Sequence, residues 1–185
     1  MTDAYNLRRA AQVAAYFANR EGGAINVLKL AKLLYLAERE HLDRYDEPMF
    51  YDRWVSMEHG PVTSITLNLI NGLTESDDWS QFITDRANHE VAATQPQLAL
   101  ERYDQLSKAD IAILDSLWAQ FGHMDRFELR DYTHENCPEW EDPDRSSKPI
   151  PYERVLKFLR KADTAALASE IEGWQHTSRV LAECR

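Results

Sequence analysis

Two groups of side chains in this chain have the types and spacing to do chemistry. His134 and Cys137 stand three residues apart, with His41 and His59 elsewhere, so they could supply two or three ligands to a zinc ion. Structural zinc sites show a second close pair of ligands, and the sequence holds none. The second group lies in the stretch Asp52-Arg53-Trp54-Val55-Ser56-Met57-Glu58-His59-Gly60-Pro61-Val62, which mixes charge, aromatic surface and one imidazole. His59 beside Glu58 is not a catalytic dyad, because adjacent side chains of an extended segment point to opposite faces. Neither cysteine sits in a glycine-rich elbow, and no G-x-S-x-G, H-E-x-x-H or phosphate-binding glycine loop occurs. The residues therefore argue for a non-enzyme with neither metal nor cofactor.

These residues must be positioned by helices. Leu7, Ala10, Ala11, Ala14, Phe17 and Ala18 form a helical stripe in residues 3–20, which Thr2 or Asp3 would cap and Gly22-Gly23 would stop. A second helix starts at the cap Asn26 and runs to about Tyr45. Its apolar surface is wider than one face, as expected of a central helix. Lys29, Lys32, Arg39 and Asp43 fall on its remaining side, which reads as a solvated polar face. Met49 to Met57 reads as extended, and Gly60-Pro61 places Pro61 in the first turn of a third helix. Residues 80–93 suggest a small hairpin. Ser107 with Asp110, and Asp125 with Glu128, have capping-box spacing ahead of two further helices. Residues 135–151 form an acidic, proline-bearing loop. Tyr152, Val155, Leu156 and Leu159 lead the next helix, and Asp163 is placed to cap a last one bearing Leu167, Ala168, Ile171, Trp174 and Leu181.

The sum is a mainly α protein: a single compact helical domain of about six or seven helices with a small β-hairpin or short sheet. Residues 1–162 would make the domain, and residues 163–185 a C-terminal helix packed on it or engaging a partner. Length and composition agree, since 185 residues with 44% hydrophobic and 28% charged suit one soluble globular unit. A formal net charge of −10 repels phosphate backbones, so nucleic acid is disfavoured as a partner. One basic face, Arg154, Lys157 and Lys161 with Arg160 and Lys148 nearby, keeps a nucleic-acid-binding regulator as the alternative. Two cysteines, no signal-peptide pattern and no apolar run of ~20 residues point to the cytoplasm and to no membrane association.

The series Lys29-Leu30-Ala31-Lys32-Leu33-Leu34-Tyr35-Leu36-Ala37, then His41, Tyr45, Asp52-Arg53, Met57 and His59-Gly60-Pro61-Val62, resembles the Panacea domain family. That family is also called the SocA-like antitoxins or phage-associated GepA-like proteins. The likeness continues through Leu106-Ser107, Phe121-Gly122, Glu128-Leu129, His134 and Pro138 with Trp140. It implies a mostly helical, non-enzymatic module that neutralises a protein toxin encoded nearby, by direct binding or by delivery to a cellular protease. Its polar signature falls on Tyr35, His41, Asp52, Arg53, His59, Gly60, Pro61 and His134. Tyr35, Asp52, Arg53 and His59 are expected to cluster under the Gly60-Pro61 turn, with Arg53 donating to Asp52 or another acid and His59 holding the start of the third helix.

Overall fold

The computed structural model describes residues 5–96 and 99–183. Thr2 and Asp3, expected to cap the first helix, lie outside the described residues, as do Cys184 and the side chain of Leu181. The described chain is mainly helical, with eight α-helices and two small antiparallel sheets. Helix α1 (Leu7–Glu21) is capped by Asn6, whose side chain accepts from the Arg9 amide. It ends at Gly22, where φ of 110° takes the left-handed geometry that glycine tolerates. Every residue from Ala10 to Ala18 is buried, because the short alanine side chains let α1 lie close against α2 (Val27–Tyr45), α4 (Asp77–Ser80) and α5 (Lys108–Phe121).

Helix α2 is the axis of the fold, capped as expected by Asn26 and packed against α1, α5, α6 (Arg126–Asn136) and the strand β3 (Gly60–Thr63). Neighbours on so many sides bury its first three turns. The expected solvated side survives only toward the C-terminal end: Lys29 and Lys32 are buried with Leu30, Leu33, Leu34 and Tyr35, while Arg39 is partly and Asp43 about half exposed. Helices α5 and α6 open with the two capping boxes legible in the sequence, Ser107 with Asp110 and Asp125 with Glu128. Each fully buried leucine or phenylalanine of this core contributes ~1.5–3 kcal/mol.

Pro61 does not start a helix. Gly60 and Pro61 belong to β3, which pairs with β2 (Trp54–Met57) across the two-residue turn Glu58-His59, and α3 (Ser64–Ile70) begins only after Thr63. β5 (Lys148–Pro149) adds a third strand beside β2. The second sheet pairs β1 (Ala24–Asn26) with β4 (Glu90–Ala92). The hairpin expected in residues 80–93 forms through bridges Ile83 to Ala93 and Ala87 to Glu90. Helix α7 (Tyr152–Phe158) and helix α8 (Thr164–Glu183) close the fold, and α8 packs on α7 through the buried Ala168 and Ile171.

Candidate functional site

The polar residues of α2 descend through the core as a ladder of satisfied pairs. At the top, Lys29 donates to Glu21 (2.6 Å) and to the Gly122 carbonyl (2.8 Å), with its ammonium 5.2 Å above the Trp118 ring. One turn on, Lys32 is wholly buried and donates to the Pro61 carbonyl at 2.8 Å. Tyr35 comes next, its hydroxyl 2.6 Å from Glu139, and the same carboxylate receives Arg39 Nε at 2.6 Å. Glu38 accepts the backbone amides of Phe50 (3.1 Å) and Asp52 (2.9 Å). His41 ends the ladder, with Nδ1 2.7 Å from the Glu47 carbonyl and Nε2 3.3 Å from Asp110.

Burial sets the electrostatics. Desolvation lowers Lys32 to about 7, with the nearby thiol of Cys137 opposing it and Arg130 adding to it. Desolvation likewise raises Glu38 to about 7 despite its two amide donors, and raises Tyr35 well above the usual phenol range. Burial also works to raise Asp110, but bonds from His41 and Ser107 and the charge of Arg9 outweigh it and hold the carboxyl well below the usual range. The Cys137 thiol is pushed up to about 12 by burial and by Glu139, so it is an inert core group at neutral pH. Among the described residues no three His, Cys, Asp or Glu side chains gather as a metal site.

The expected cluster of Tyr35, Asp52, Arg53 and His59 does not form. Asp52 is buried, and its oxygens accept from the Arg53, Ile65 and Thr66 amides at 2.6–2.8 Å and from the Thr66 hydroxyl at 2.5 Å. It caps α3 from outside, because Thr63 at the helix start makes no side-chain cap bond. Arg53 contributes only its backbone amide there, and its side chain is exposed. His59 sits exposed in the β2–β3 turn and holds no helix. Under Gly60 lie Lys32, Thr133 and His134: a Cβ on Gly60 would meet their atoms at 3.0–3.1 Å, and φ of 95° is itself unfavourable for other residues. His134 stacks on Trp140 with ring centroids 4.4 Å apart. Trp140 in turn donates to the Met57 carbonyl at 2.9 Å.

Glu139, Glu38, Lys32 and Thr66 are polar partners that no local sequence signal singles out as such, and Asp110 is legible only as the capping-box partner of Ser107, not as the acceptor of Arg9 and His41. Glu139 reads in the sequence as one acid of a solvent-facing loop, yet it is fully buried. The loop's remaining charge is also partly spent, since Glu141 pairs with Arg154 and Asp144 with Lys148. The basic face of α7 is neutralised in the same way: Lys157 pairs with Glu153, and Lys161 with Asp43 and Asp46.

One concavity lies apart from this ladder. It is an open groove of about 580 Å³ between α3, the β2–β5 edge and α8, lined among others by Arg53, Leu67, Leu73, Ile150, Tyr152 and Gln175. No helix among the described residues is long and apolar enough to cross a membrane.

Neither a curated protein nor a solved structure matches the chain. A family profile does, over residues 30–141, and it is described as antitoxin SocA-like, Panacea domain. The matched span runs from within α2 past Glu139 and so contains the glycine-proline hairpin and, Lys29 excepted, the α2 side of the ladder. With more than half of its length matched, the chain belongs to the SocA-like antitoxin family, Panacea domain.

Proposed function

We propose that this protein is a cytoplasmic antitoxin that neutralises a toxin encoded beside it by direct, stoichiometric binding, and that it carries out no chemistry of its own. The observation that carries the reading is the fate of the family's polar residues. Tyr35, His41, Asp52 and His134 are spent on internal partners or ring stacking, which suits a scaffold for recognition better than a reacting centre. Delivery of the bound toxin to a protease is compatible with the same surface and differs only in the step after binding.

Co-expression tests the reading. The neighbouring gene product should arrest growth alone, be rescued by this protein, and co-purify with it at a fixed ratio. Rescue without a complex would point to regulation of expression, and no rescue would remove the antitoxin reading. Stability of the toxin in a protease-deficient host separates inhibition from delivery.

A further inference from the structure

Resting on the antitoxin reading, we propose that the groove between α3, β5 and α8 is the toxin-docking surface, and that it takes a segment presenting an apolar side chain next to a carboxylate.

Four observations converge on this groove. Its lining is mainly apolar, and Leu73 at its rim is 74% exposed, the most exposed of the large hydrophobic side chains described. A monomer gains nothing from holding such a residue in water, whereas a partner's side chain would bury it. Arg53, also on the lining, has an exposed guanidinium with no carboxylate within ion-pair reach among the described residues. The adjacent acid cannot serve it, because Asp52 spends both oxygens on the start of α3. The cation is therefore left for an incoming acid, and Arg beside exposed apolar surface is the composition of an interface centre.

The third observation is Trp54, which lines the same groove while only 3% exposed, and whose indole N–H has no hydrogen-bond partner. Buried donors are seldom left unpaired, and this one has no accessible surface, so an incoming oxygen would pair with it only by displacing part of the groove floor. Fourth, the sheet edge here is the two-residue β5, where Pro149 has no amide hydrogen, so the edge itself is a poor template for strand addition. Recognition in this groove thus falls to side chains: an apolar anchor between Leu67 and Leu73, and an acceptor toward Arg53. Charge confines the acid to the Arg53 end, because the lining also carries Glu172 on α8. The chain's net charge of −10 disfavours acidic partners at large, so a carboxylate is accommodated only where an unpaired cation awaits it.

The test is a titration of purified toxin against the full-length antitoxin and three variants, read by calorimetry, with circular dichroism to verify folding. Arg53→Glu and Leu73→Asp alter exposed side chains and should leave the melting curve unchanged. Each should weaken the complex about tenfold or more. Phe127→Ser, on an exposed face of α6 away from the groove, should bind like wild type. If wild type binds and both groove variants bind equally well, the groove is not the docking surface, though the antitoxin reading survives. If Phe127→Ser alone loses binding, the interface lies on α6. If wild type does not bind the toxin, both readings fall. A self-associating antitoxin whose dimer is broken by Arg53→Glu would assign the groove to a second copy and overturn the proposal.

Discussion

Replacing Lys32 by methionine should stabilise the protein at pH 6 and destabilise it at high pH. The ammonium is wholly buried with a single acceptor, the Pro61 carbonyl, and no carboxylate beside it. Its pKa falls from 10.5 to about 7 on folding. At about 1.4 kcal/mol per unit, that shift costs the folded state at most about 5 kcal/mol when both states are protonated, below pH 7. Methionine removes this cost but leaves the Pro61 carbonyl without its donor, which returns ~1–3 kcal/mol. The net gain at pH 6 is thus about 2–4 kcal/mol. Between pH 7 and 10.5 the unfolded wild type binds more protons than the folded one, so wild-type stability rises with pH while the variant lacks that dependence. The difference should shrink by about 1.4 kcal/mol per pH unit through this window, and reverse once the neutral amine still serves Pro61. Urea unfolding at pH 6, 7.5 and 9, followed by circular dichroism for both proteins, measures it. Glu38 titrates alike in both proteins and cancels, whereas Cys137 and His134 feel the Lys32 charge, so their titrations shift with the substitution and belong to the measured difference. A difference that does not vary with pH, or a methionine variant less stable at pH 6, would refute the reasoning.

Other perturbations separate the remaining contacts. Glu139→Ala strips the shared acceptor from Tyr35 and leaves Arg39 as a mostly buried cation without its carboxylate, so thermal unfolding should show a loss of about 3 kcal/mol. Asp52→Ala removes the external cap of α3 and the acceptor of Thr66, which should cost about 2 kcal/mol and raise amide exchange at Ile65 and Thr66 first. Truncation after Ala162 removes α8, whose described core contacts are chiefly Ala168 and Ile171. The shortened chain should still unfold cooperatively at a lower midpoint but lose toxin binding, because one wall of the groove goes with it.

The helices are legible in the sequence because they are written in local terms. Apolar stripes, the Asn26 cap and both S/D-x-x-D/E boxes depend on residues within one turn of each other, and they reappear in the structure except on α8, where Trp174 of the expected stripe is exposed. Sequence and structure part where a distant residue decides. Gly60-Pro61 carries a helix-start signal, yet the cap of α3 is supplied by Asp52 thirteen residues before Ile65, which frees Gly60 and Pro61 to pair with β2. Lys29 and Lys32 look like solvent-facing residues in any helical projection; their burial results from α6 and β3 closing over that side. Glu139 is invisible in the same way, one acid among several until Tyr35 and Arg39, a hundred residues earlier, claim it. The groove has no local signature, since its walls come from α3, β5 and α8.

On the proposed reading, the buried ladder holds the fold and the groove meets the partner. The ladder of Lys29, Lys32, Tyr35, Glu38, Arg39 and His41, with Glu139 and Asp110, lies inside the span matched by the family profile apart from Lys29, and it faces the core. The carboxylate of Glu139 and the guanidinium of Arg39 are costly to bury singly, so removing one strands the other, whereas Lys32, held only by the Pro61 carbonyl, is the exception. The groove is built differently. Arg53, Leu67 and Leu73 stand on the matched span, whereas Ile150, Tyr152 and Gln175 lie beyond residue 141. A docking face with one wall on the fixed scaffold and the other on β5, α7 and α8 can be re-cut for a different toxin without disturbing a buried pair. Tyr152 ties the two walls together, its hydroxyl donating to the Asp52 carbonyl at 3.0 Å and accepting from Gln175 at 3.3 Å, while Trp54 of the groove packs edge-on against Tyr35 of the ladder. Exchanging residues 147–183 between two such antitoxins should therefore move toxin preference with the exchanged segment, provided the tyrosine is kept.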